Sequence, residues 1–165
     1  MRIILPIIFL LLWNVPAFAE EVEYSQFAVT LPPGWDGEEQ QGFVSNDPRE
    51  YSLTFGRKDD AGDKFLAQVS IYLLPNKPGA DAPGAARTLA DAQGDASEPT
   101  LASNFWQFTG EPRSSIIKGM ATTMVNANPD YLLIIIAHDP QNLGSRELVD
   151  SLRGISQPAR QLLGR

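Results

Sequence analysis

The stretch Tyr131-Leu132-Leu133-Ile134-Ile135-Ile136-Ala137 decides the fold. It is strand-sized, β-branched at its centre and apolar at odd and even positions alike. A strand with one wet face alternates polar and apolar side chains, whereas a strand buried on both faces reads as an unbroken apolar run. The run is also far too short for a membrane helix, which needs roughly 20 apolar residues. It therefore predicts a central strand with a helix above it and another below.

The chain supplies both helices. On the C-terminal side Leu148, Val149, Leu152 and Ile155 form a helical stripe, Ser145 offers a cap oxygen and Gly154 a left-handed stop. Residues 157–165 read as a flexible tail. On the N-terminal side Ala82, Ala85, Ala86, Leu89 and Ala90 recur with helical period up to Gly94, giving a small, smooth face suited to close packing on a sheet.

The rest reads as strands and turns. Runs at about Leu101–Thr109 and about Ile116–Val125 are joined by turns at Gly110–Arg113 and Asn126–Asp130. Tyr51, Leu53 and Phe55, then Phe65, Ala67, Val69, Ile71 and Leu73, alternate with polar residues and predict a hairpin with a polar tip over residues 56–64. Phe27, Val29 and Leu31 mark an earlier strand closed by Pro32-Pro33-Gly34. Asp36–Gln41 reads as a solvated loop, and Gly42–Ser45 as a short strand. Short connections favour antiparallel neighbours, because a parallel crossover needs about a dozen residues or more. The expected class is α+β: an α/β/α sandwich with a central, mainly antiparallel sheet and helices on both faces.

The first nineteen residues carry an address. Arg2, an apolar run from Ile3 to Trp13, a break at Asn14-Val15-Pro16 and the small-residue signature Ala17-Phe18-Ala19 predict a signal peptide over residues 1–19, cleaved near Ala19. A single domain over residues 20–156 and the tail over 157–165 are expected to follow. Cleavage leaves 146 of the 165 residues and removes Arg2 alone among the charges, so 12 Lys and Arg face 20 Asp and Glu, a net charge of −8. That balance opposes attraction to nucleic acid and to anionic lipid. The chain has no cysteine, which removes disulfides, thiolate metal sites, cysteine nucleophiles and lipid attachment at a processed N-terminal cysteine. A periplasmic or secreted protein, with no stable membrane insertion after signal removal, is the expectation.

Candidate chemistry is sparse. His138 is the only histidine, and Asp139 beside it could orient the ring for acid–base work, but no third group is legible. The plainer reading has His138 and Asp139 leave the strand and cap the turn at Pro140. Any serine can be paired with His138 on paper, yet no Gly-x-Ser-x-Gly elbow exists to expose one. Asp59, Asp60 and Asp63 crowd a glycine, the raw material of a weak calcium site, although their spacing is not that of an EF-hand. A solvated hairpin tip accounts for them. No phosphate-binding glycine motif occurs. Trp35, after the Pro-Pro-Gly turn, reads as a lid on the core edge, and Phe105 and Trp106 face opposite sides. No catalytic, cofactor-binding or metal-binding residue is assigned.

The motif Phe27-Ala28-Val29-Thr30-Leu31-Pro32-Pro33-Gly34-Trp35 resembles the opening of PsbP-like and DcrB-like domains. The alanine-rich helix, the Trp106-Gln107-Phe108 strand and a terminal helix with Ser151-Leu152 follow in the order of that superfamily. The resemblance implies the same α/β/α sandwich and a scaffold for protein partners without shared catalytic residues. The expected function is thus an exported, non-catalytic accessory or protein-binding module of the bacterial cell envelope, with no cofactor and with another protein as partner. The alternative is a small periplasmic hydrolase or metal-dependent enzyme built on His138 or the Asp59–Asp63 loop.

Overall fold

The computed structural model describes residues 19–164; the expected signal lies, apart from Ala19, outside them. Antiparallel strands dominate, accompanied among these residues by three short helices, an α+β arrangement. The strands are β1 (Glu20–Glu23), β2 (Phe27–Leu31), β3 (Trp35–Gln41), β4 (Tyr51–Lys58), β5 (Phe65–Pro75), β6 (Thr100–Ala102), β7 (Phe105–Gly110), β8 (Ala121–Ala127), β9 (Tyr131–His138) and β10 (Arg153–Gly154). The helices are α1 (Ala82–Asp91), α2 (Ser145–Ser151) and α3 (Gln157–Leu163). The larger sheet has the order β3-β4-β5-β9-β8-β7-β6, and a small one the order β1-β2-β10. The deciding stretch thus lies in the central strand, β9, which pairs with β5 and β8.

Side chains of β9 divide between two apolar clusters. Leu133 and Ile135 enter the larger one, with Phe27 and Val29 of β2, Leu53 and Phe55 of β4, Val69 and Ile71 of β5, and Leu148 and Leu162 of α2 and α3. Leu132 packs against the smaller one, formed by Ala82 and Ala86 of α1 with Val125 of β8. This division follows from the two-residue period of a strand. Cover is uneven along β9: Leu133, Ile134 and Ile135 are buried, but Leu132 and Ile136 are only half-buried. The dry flanks expected along the whole run are thus incomplete at both ends, and the helix expected over the second face of this strand lies instead over β7 and β8.

The alanine helix forms where its period places it. The Asp81 carboxylate accepts from the Gly84 amide at 2.8 Å, and Pro83 stands in the first turn, where its missing N–H costs nothing.

Several expectations need correction. The stretch Asp36–Gln41 is strand rather than loop, and Gly42, at φ 59°, starts a turn where a strand was expected. As a sheet edge, β3 bonds β4 from Trp35↔Arg57 to Gln41↔Tyr51, and its carboxylate-bearing side chains discourage edge-to-edge pairing, although Glu39 also accepts from Ser25 and the Tyr51 hydroxyl. The run 101–109 is two strands, β6 and β7, folded at Ser103 with φ 56°. The next strand begins at Ala121 rather than Ile116, leaving residues 111–120 as a connection.

Ser145 is inside α2, not its cap. Gly144 is the N-cap, and the Asp139 carboxylate accepts from the amides of Leu143 (2.7 Å) and Ser145 (3.0 Å). Gly154 does not stop that helix, which ends at Ser151 with Leu152 as its C-cap; it lies in β10 and pairs with Phe27 of β2. A Cβ at Gly154 would strike the backbone of Ala159 and Arg160, so glycine here permits a strand–helix contact.

The expected tail is α3 through Leu163. Ser156 Oγ accepts from the Ala159 amide, Pro158 sits in the first turn, and Gly164 closes the helix at φ 73°. Ala159, Leu162 and Leu163 are buried, and the amides of Asn104 and Asn126 donate to the Leu162 carbonyl at 3.2 and 2.7 Å.

Candidate functional site

On the face of the large sheet opposite the main cluster, α1 lies over β7 and β8. Over β4, β5 and β9 the same face carries Ser52, Thr54, Gln68, Ser70, Tyr72, Ile134, Ile136 and His138, aligned by the pairs Ser52↔Tyr72, Thr54↔Ser70, Ser70↔Ile136 and Gln68↔His138. Polar side chains stand here because alternation sends their apolar neighbours Leu53, Phe55, Val69 and Ile71 into the main core. Tyr72 lies against Phe43, with ring centroids 5.8 Å apart.

The connection 111–120 borders this face and makes a cleft of about 280 Å³, with Pro112, Ser114, Ser115 and Ile116 on one side and Gln68, Ser70, Tyr72, Ile136 and His138 on the other. Ile116, 74% exposed, stands at its rim. No side chain lining the cleft carries a formal charge when His138 is neutral.

His138 is the polar centre of the cleft. It is 4% exposed, and its Nδ1 lies 3.1 Å from Ser115 Oγ. Burial pushes the ring below its ordinary value, against a weaker opposing pull from the Gly119 backbone and the carboxylates of Glu111 and Asp139. The ring is therefore neutral at neutral pH. Ser115 Oγ accepts from the Ile117 amide at 3.1 Å, which leaves its own proton to donate. With the ring proton on Nε2, Nδ1 accepts that hydroxyl proton. The buried Nε2 has no hydrogen-bond partner of good geometry among the described residues. Gln68 Nε2 donates to Ser70 Oγ at 2.8 Å and has a second hydrogen to offer.

The histidine thus meets a serine rather than Asp139. Neighbours along an extended chain point to opposite faces, so Asp139 turns to the start of α2 while His138 turns to the cleft. The expected turn cap is found for Asp139 alone. Ser115 lies 23 positions from His138 in a segment read as the approach to a strand, and no spacing rule links the two.

The acidic hairpin tip does not assemble a site. Asp59 Oδ1 accepts from the amides of Asp63 (2.9 Å) and Lys64 (3.3 Å), and those bonds hold its carboxyl below the ordinary carboxylate range. Among the described residues no three His, Asp or Glu side chains are grouped so as to hold a metal ion. Trp35 is buried in the main cluster and donates from Nε1 to the Leu143 carbonyl at 2.9 Å, as its reading as a core-edge lid requires. Phe105 and Trp106 pack on different clusters. Among the described residues no helix is long and apolar enough to cross a membrane.

No protein-family model and no curated protein matches this chain. A crystal structure from Bacteroides thetaiotaomicron VPI-5482 is similar at a TM-score of 0.45 and 10% identity, covering 80% of this chain. The chain spans 46% of the length of that protein.

Proposed function

We propose that this protein is an exported accessory module of the bacterial cell envelope, freed near Ala19 into the periplasm or beyond, that binds another protein. Its architecture in this reading is the α/β/α sandwich of PsbP-like and DcrB-like domains. The separation of Leu132 from Leu133 into different apolar clusters, one with α1 and the other with α2 and α3, supports that layering.

One observation carries the functional reading. The cleft on the sheet face beyond α1 combines uncharged hydrogen-bonding side chains, the Tyr72 ring and the exposed Ile116 of the connection 111–120, the mixture of polar and aromatic groups that protein interfaces use. A net charge of −8 disfavours nucleic acid and anionic lipid as the occupant.

Photocrosslinking in intact cells tests it. A benzoylphenylalanine at position 72 or 116 should capture one and the same envelope protein, and one at Arg146, exposed on α2, should not. No capture from either face position, or equal capture from all three, refutes the reading. The N-terminal sequence of the purified protein should start at Glu20.

A further inference from the structure

Beyond partner binding, we infer that Ser115 is a nucleophile with His138 as its general base, forming a site for hydrolysis of small uncharged esters. The geometry is that of a serine–histidine pair: Oγ and Nδ1 stand 3.1 Å apart at the wall of an open cleft. The Ile117 amide fills one acceptor position on Oγ and so directs the hydroxyl proton toward Nδ1. Burial of the ring, 4% exposed, fixes its orientation without help from a carboxylate. The pair works without Asp139, whose carboxylate is taken up by the amides of Leu143 and Ser145.

The step balances on these atoms. Ser115 Oγ attacks the ester carbonyl carbon as its proton passes to Nδ1, and the tetrahedral adduct collapses by breaking the bond to the alkoxide, which takes that proton. Water then attacks the acyl-serine, gives its proton to Nδ1, and Ser115 leaves and recovers it. The Gln68 amide, on the same wall and paired across the sheet with His138, offers its uncommitted hydrogen to the oxyanion. Substrate class follows from the lining: Ile116, Ile136 and Tyr72 with no formal charge in about 280 Å³ suit a short acyl chain and a neutral ester.

A biotinylated fluorophosphonate and p-nitrophenyl acetate are the probes, used on the purified mature chain. The expected results are one phosphonyl adduct per chain, mapped to Ser115, and ester turnover that falls at least 100-fold in Ser115→Ala and His138→Gln. Turnover in the wild type should also decline on the acid side as His138 takes a proton. An adduct on Ser114 instead, or no adduct on the folded wild-type chain, overturns the assignment whatever the variants do. Retained turnover in a folded Ser115→Ala protein does the same. The crosslinking result is independent of these outcomes, so either reading can fail alone.

Discussion

Leu162→Ala separates a tail from a core element. Leu162 is 1% exposed and belongs to the main cluster with Leu133, Ile135 and Leu148. Truncation removes three carbon atoms, worth roughly 2.4 kcal/mol at about 0.8 kcal/mol each. The cavity left against a strand that cannot move inward raises the loss to about 3 kcal/mol. In a domain of this size that lowers the melting temperature by about 10 °C, or the urea midpoint by about 1.5 M at a slope of about 2 kcal/mol/M. Trp35 and Trp106 lie on different clusters and report both sides of the sheet in one fluorescence titration. Gln161→Ala, one residue away and exposed, should change stability by no more than about 0.5 kcal/mol. If Leu162→Ala matches that small effect, α3 is not part of the core and the packing argument fails.

Asp139→Ala removes the acceptor of the Leu143 and Ser145 amides and should cost about 2 kcal/mol; an unchanged thermal melt would show that α2 needs no cap. Because burial lowers the His138 pKa in the folded chain, the unfolded chain takes up the proton first on acidification. The stabilisation from keeping the ring neutral is therefore complete above about pH 7.5, declines as pH falls through about 6.5, and levels off below the lower folded value. His138→Gln should flatten the urea midpoint between about pH 5 and 7.5 relative to the wild type, and parallel curves would contradict this sign. Gly154→Val pushes side-chain atoms into the backbone of α3, and rapid proteolytic loss of residues 155–164 is expected; wild-type resistance would mean that the contact can relax.

Much of the architecture was legible because it rests on local pattern. The unbroken apolar run at Tyr131 gave the central strand, and the alternation of Tyr51, Leu53 and Phe55 against Val69, Ile71 and Leu73 gave the hairpin beside it. The alanine period gave α1 within a residue or two. Misreadings arose where side-chain polarity and backbone role part company. Asp36–Gln41 is polar in every side chain but Gly37, yet its backbone is bonded to β4, and an edge strand needs no apolar face to form. For α3 the signals were present in Ser156, Pro158 and Gly164, but seven residues give too short a stripe for periodicity to register.

By itself, then, the sequence determined the β4–β5 hairpin, helix α1 and the central place of β9, since backbone preference and burial period act over a few residues. Only the tertiary structure decided that the sole histidine faces Ser115 and not Asp139, that the last seven helical residues close the core, and that the connection 111–120 borders the sheet face beyond α1. Those outcomes depend on contacts between residues tens of positions apart, and no local period encodes which loop will fold over which strand.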